Sequence, residues 1–190
     1  MTPRTGSTLV ELLVGVALAA LLATAIVGAV ASGLRMLARL GLRAEAEDIA
    51  HLAVEALAFD VRRAGVDPMG AGIEALADAR PDRLTLQADL DGDGTVDPAS
   101  EETTMYVCSA SGRKLSRVIG GQSLPLANDV GACGLAYADR TGALLVPPAG
   151  GLDGTTRQRV RLVTLDLALA PPGLTAPTTR RASIALRVAP

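Results

Sequence analysis

The apolar residues of the chain are unevenly spread. From Leu12 to Leu34 there are 23 consecutive residues without a charge, LLVGVALAALLATAIVGAVASGL. As a helix rising ~1.5 Å per residue this run spans about 35 Å, more than the ~30 Å of bilayer hydrocarbon. A core helix of a soluble domain rarely runs so far without a polar face, so the segment is read as membrane-spanning. Beyond it, Leu42, Ile49, Leu52, Ala56 and Phe59 recur at spacings of 7, 3, 4 and 3, an apolar stripe of helical period. Arg43, Glu47, Glu55 and Arg62 fall largely on the other side. Gly65 suits a C-cap, and Asp67-Pro68 opposes continuation. One helix is therefore predicted from about Thr8 to Ala64, its first half in lipid and its second against a domain.

After Pro68 the pattern changes to turns and short strands. Residues 69–82 form a Gly- and Ala-rich connector. Arg83–Ala88, Thr103–Ser109 and Lys114–Ile119 read as strands, followed by Gly134–Ala138, Val160–Leu169 and Ser183–Val188. In the fifth of these, Val163, Leu165, Leu167 and Leu169 make one face wholly apolar, able to bury the helix stripe. A long helix followed by an antiparallel meander is an α+β fold.

The entrance of the apolar run separates three readings. A secretory signal peptide has an apolar core of ~7–15 residues followed by a cleavage site, whereas this run is longer and passes straight into a further helical pattern. A plain signal anchor fits the length but would not place a carboxylate, Glu11, at its start. A charge within a membrane helix costs ~2.5–3.5 kcal/mol at the centre on insertion scales, which marks it as functional. The stretch Gly6-Ser7-Thr8-Leu9-Val10-Glu11-Leu12-Leu13-Val14 resembles the processing site of type IV pilins and pseudopilins. The resemblance implies a leader, Met1 to Gly6, removed by a prepilin peptidase. It also implies a mature chain of 184 residues (190 − 6) starting at Ser7, whose amine is methylated, with Glu11 at the fifth mature position. The family usually has Phe or Met first, so Ser7 is a departure that bears on methylation. The same resemblance implies the pilin architecture, a long N-terminal helix packed on an antiparallel sheet.

Glu11 has a physical case of its own. Cleavage would leave an α-amine with a pKa of ~7.7–8, and a carboxylate in apolar surroundings is stabilised by such a cation. In a stack of helices, Glu11 of one subunit would meet the amine of a neighbour and fix the axial register. The competing reading is an interfacial Glu snorkelling to the headgroups. The charge rule for topology points elsewhere: only Arg4 precedes the segment, while Arg35, Arg39 and Arg43 follow it, which would leave the C-terminal domain in the cytoplasm. The resemblance implies the periplasm, and the cysteines agree with it.

Between two expected strands lies Asp89-Leu-Asp-Gly-Asp-Gly-Thr-Val-Asp97. Asp89, Asp91 and Asp93 occupy positions 1, 3 and 5 of an EF-hand-like calcium loop, Gly94 position 6, Thr95 position 7 and Asp97 position 9. Position 12 should be Glu but is Ser100, with Glu101 one residue late. Either the four carboxylates hold Ca2+, or the segment is a solvated acidic turn, for which Asp and Gly are equally suited.

Two cysteines, Cys108 and Cys133, stand outside the membrane segment. A disulfide between them would imply an oxidising compartment, hence the periplasmic side. Two unrelated buried thiols are the alternative. Net charge is −2, with 17 Arg and one Lys, so no basic excess exists to bind nucleic acid. The only His, His51, has no neighbouring ligand pattern, and no phosphate loop or nucleophile elbow is present. An enzyme is not expected.

The expected organisation is a leader at 1–6, a membrane and assembly helix at 7–34, its amphipathic continuation at 35–65 and a periplasmic β-rich domain at 66–190. The segment Leu57-Ala-Phe-Asp-Val-Arg-Arg-Ala-Gly65 resembles the helix end of PilW-type minor pilins and J-type pseudopilins. The implied function is a low-abundance subunit that initiates or builds a type IV pilus or a type II secretion pseudopilus. Its implied partners are the prepilin peptidase, other pilin or pseudopilin subunits and inner-membrane lipid. The alternative is a membrane-anchored, calcium-dependent periplasmic binding domain that does not assemble.

Overall fold

The structure, a computed structural model, describes residues 8–187. The leader, Gly6, Ser7 and the terminal residue Val188 of the last expected strand lie outside the described residues. Contacts divide the chain into a unit up to Gly41 and a second from Leu42 onward. One helix, α1 (Leu9–Arg63), supplies the described part of the first unit and opens the second.

The start of α1 is set by Thr8. Its hydroxyl accepts the Glu11 N–H at 3.4 Å and its carbonyl accepts the Leu12 N–H at 3.2 Å. Every residue from Leu9 to Val30 is exposed. Thr24 and Ser32 donate their hydroxyls back to the carbonyls of Leu21 and Ala29 at 2.8 Å, so the run satisfies its polar atoms internally. The helix is long and apolar enough to cross a membrane.

In the second unit, α1 from Leu42 packs on antiparallel strands, as expected for the α+β class. Five form one sheet in the order β1 (Leu76–Ala79), β2 (Arg83–Gln87), β3 (Thr103–Ser109), β4 (Lys114–Ile119) and β5 (Gln122–Ala127). The second sheet runs β7 (Leu144–Leu145), β6 (Val130–Ala138), β8 (Leu162–Leu169) and β9 (Thr178–Ala185). A single turn of helix, α2 (Gly154–Arg157), precedes β8 and is capped by Asp153, whose side chain accepts the Thr156 N–H. The Val163, Leu165, Leu167 and Leu169 face of β8 is buried as its alternation predicts. Leu84, Tyr106 and Leu115 of the first sheet and Tyr137 of the second complete the core with α1.

The buried face of α1 differs from the expected stripe. Ala46, Ala50, Ala53, Leu57, Val61 and Ala64 are buried, whereas Leu52 and Phe59 are 63% and 60% exposed. Leu42, Ile49 and Ala56 are half-buried at the margin. The strands present the larger side chains, and the helix meets them mainly with alanines, together with Leu57 and Val61. Phe59 instead lies under the Arg63 guanidinium, 5.3 Å from ring centre to Cζ.

The helix stops where expected. Gly65 adopts a positive φ of 74°, and its N–H donates to the Gln87 carbonyl at 2.8 Å. A Cβ there would stand 3.0 Å from that of Ala75, so glycine also serves close packing. Strands β1, β5 and the two-residue β7 stand outside the expected set. The first hides in the connector, and the second carries Pro125, which donates no ladder hydrogen bond and is tolerated because β5 is an edge.

Candidate functional site

At the N-terminal end, Glu11 is exposed in the first turn of α1, where a carboxylate meets the positive end of the helix dipole. Its expected partner, the amine of Ser7, lies outside the described residues.

The acidic loop has a definite internal architecture. It begins where β2 ends, and the Asp89 N–H donates to the Val66 carbonyl at 2.8 Å, tying the loop to the chain just beyond α1. Asp89 is fully buried, and its two oxygens accept the N–H groups of Gly92 at 2.6 Å and Gly94 at 2.9 Å. Both glycines have positive φ, 79° and 80°, so the tight wrap around Asp89 requires them. Glu102 closes the loop from the other side. One oxygen accepts the N–H groups of Leu90 at 2.7 Å and Asp91 at 3.3 Å, and the other accepts that of Asp97 at 2.8 Å. These bonds, from Asp97 first and Leu90 next, hold its carboxyl below the usual glutamate range.

Asp89, Asp91 and Glu102 each turn an oxygen into one group whose members lie within 4.8 Å of one another. Oxygens sharing one calcium at ~2.3–2.6 Å stand no more than about 5 Å apart, so this group has the donor chemistry and spacing of a hard-cation site. Of the other expected ligands, Asp93 turns to the N–H and hydroxyl of Thr95 at 2.7 Å, and Asp97 turns to the Ala99 N–H at 2.8 Å. The Thr95 contacts, side chain first, hold Asp93 below the usual aspartate range. Neither Asp93 nor Asp97 joins the three-carboxylate group.

Glu102, rather than Ser100 or Glu101, therefore faces the aspartates. The reason is the exit of the loop into a strand instead of a helix. Glu102 shares the inward parity of Thr104, Tyr106 and Cys108 on β3, a signal already present in the alternation of that strand.

Cys108 and Cys133 form a disulfide, with Cα atoms 5.6 Å apart, joining β3 to β6 and hence one sheet to the other. A second link joins α1 to the first sheet. Asp60 of α1 is 3% exposed, accepting the Tyr106 hydroxyl at 2.6 Å and the Arg117 Nε and Nη2 at 2.7 Å. Burial, together with the Asp60 charge, pushes the Tyr106 hydroxyl far above its ordinary value, so it stays protonated and donates. The sequence did hold a clue: Asp60 follows Leu57 at helical spacing, and an acid on a buried face demands a partner.

No protein-family model matches the chain, and no curated protein matches it.

Proposed function

We propose that this chain is a structural subunit, a minor pilin or pseudopilin, and not an enzyme. In this reading the prepilin peptidase cleaves after Gly6 and methylates Ser7. The protein sits in the bacterial inner membrane with its domain in the periplasm. It then enters a type IV pilus or type II secretion pseudopilus among other such subunits. The observation that carries this is α1 itself: one helix of 55 residues with an acid in its first turn, an uncovered apolar half and an alanine-faced half buried on antiparallel strands. Met36, Leu37, Leu40, Leu52 and Phe59, beyond the 23-residue run, are 52–65% exposed. A lone anchor would leave these side chains in water, whereas helices of neighbouring subunits would cover them.

A second reading is favoured by the acidic group. Asp89, Asp91 and Glu102 would hold Ca2+, either as a brace within the subunit or as the centre of an anchored binding domain that never assembles.

Intact-mass measurement of protein extracted from membranes tests the first reading. The expected chain lacks Met1–Gly6 and begins at Ser7. Protein retaining Met1 would leave only the anchored-domain reading.

A further inference from the structure

Directly after the uncharged run that ends at Leu34, α1 carries Arg35 and Arg39, one helical turn apart and both exposed. The Arg35 Nε donates to the Ala31 carbonyl at 3.1 Å, folding the side chain back along the last turn of the run. Neither arginine meets a carboxylate among the described residues, whereas Arg43, one turn on, has Glu47 at 3.0 Å. The first acid after Arg39 along the helix is Glu45, six residues on. Two uncompensated guanidiniums therefore stand at the very edge of the apolar segment.

The run is about 35 Å long against ~30 Å of hydrocarbon, so its length alone leaves its depth undetermined by some 5 Å. Tilting or sliding takes up such an excess, and charged residues at the ends decide between them. An arginine cannot follow the run into the acyl chains. Its stem can lie along them while the guanidinium stays in the phosphate layer. There it pairs with phosphate oxygens through two parallel hydrogen bonds, a fork that an ammonium group lacks. Two such groups, about 6 Å apart along the axis, carry a double positive charge that favours lipids with a net negative headgroup. Because the pair opens directly onto the apolar run, a lipid supplies the phosphate.

We propose that Arg35 and Arg39 form a binding site for the phosphates of anionic phospholipids and thereby fix the depth of α1 in the bilayer. This rests on α1 crossing a membrane and not on the assembly of subunits.

The test uses full-length protein reconstituted in vesicles of equal parts phosphatidylglycerol and phosphatidylcholine. After gentle release into detergent, native mass spectrometry reads which lipids stay bound. Phosphatidylglycerol should be preferred, R35Q/R39Q should lower the preference about fivefold for each arginine removed, and R35K/R39K should keep part of it. Leu34→Trp supplies the only tryptophan of the chain, and its fluorescence in the same vesicles should be quenched by lipids brominated near the glycerol. Adding R35Q/R39Q should move the quenching to lipids brominated deep in the acyl chain. A lipid preference unchanged in R35Q/R39Q overturns the site, and quenching at one depth with and without the arginines overturns its role in positioning. Loss of the preference on adding inorganic phosphate at constant ionic strength overturns it in favour of a free-anion site. Chains that float with the vesicles but show no preference overturn this proposal alone. Chains that fail to float overturn the membrane reading of α1 as well.

Discussion

Replacing Asp60 with Ala should be among the most damaging single changes in the second unit. Asp60 is the one acid on the alanine-lined face of α1, and three hydrogen bonds of 2.6–2.7 Å converge on it. Removing it leaves the Arg117 guanidinium, 21% exposed, without its anion and the Tyr106 hydroxyl without an acceptor. Breaking a buried pair by deleting one partner costs ~3–5 kcal/mol, and partial exposure of Arg117 places this case at about 3 kcal/mol. At ~2–4 °C per kcal/mol for a domain of this size, the melting temperature should fall by roughly 6–12 °C. Thermal unfolding of the full chain in detergent, followed by tyrosine absorbance, measures the shift. Asp60→Leu combined with Arg117→Met should recover the part of the loss due to the stranded guanidinium, because an apolar pair leaves no unpaired charge, and not the part due to the Tyr106 hydroxyl. A drop below about 2 °C for Asp60→Ala would falsify the assignment of this pair as the anchor of the helix.

Glu11→Ala should still insert, since it removes a polar group from the apolar segment, yet enter filaments poorly; unchanged cross-linking to neighbouring subunits would count against its pairing with an amine. The disulfide closes a loop of 25 residues, worth about 3.5 kcal/mol in the chain-entropy model. Reduction should lower the melting temperature accordingly, and alkylation under denaturing, non-reducing conditions should label neither cysteine. Millimolar calcium should raise the melting temperature by several degrees over chelator, an effect that Asp89→Asn abolishes; equal melting in both buffers would leave the loop a self-satisfied acidic turn. Glu102 has a depressed folded pKa, so its contribution is present above the unfolded value of ~4.3 and lost as pH falls through the folded one. Glu102→Gln should flatten the acid limb of the stability profile below about pH 4.5 and leave its slope near neutrality unchanged.

The legible parts of this fold are those where one physical signal dominates. The uncharged run Leu12–Leu34, the Gly65 cap and the strict alternation of Val163 to Leu169 each depend on residues a few positions apart. On α1, Leu52 and Phe59 outrank alanine in hydrophobicity, yet the face buried with Tyr106, Leu84 and Leu115 carries mostly alanines, with Leu57 and Val61 among them, and hydrophobicity alone does not record that fit. Strand β9 escaped notice over most of its length because Thr179, Arg180 and Arg181 are exposed at an edge and give no apolar pattern. At the acidic loop, Asp89 and Asp91 were legible from spacing, while Glu102 was missed because the borrowed spacing belongs to a loop that exits into a helix. The Asp60–Arg117 contact, 57 residues apart in sequence, depends on how α1 and β4 meet, which no local pattern records.

Both sheets end in strands with only one paired side, and their composition bears on life at high local density. An open edge offers a row of backbone donors and acceptors that another molecule can zip onto. Strand β5 interrupts that row with Pro125, and β9 carries Arg180 and Arg181 on adjacent positions. Two β9 edges approaching each other bring like charges together, and β7, only two residues long, gives little template. Three of the four sheet edges are thus poor templates for strand-to-strand pairing between molecules, which leaves β1 as the edge a cross-β contact would have to use.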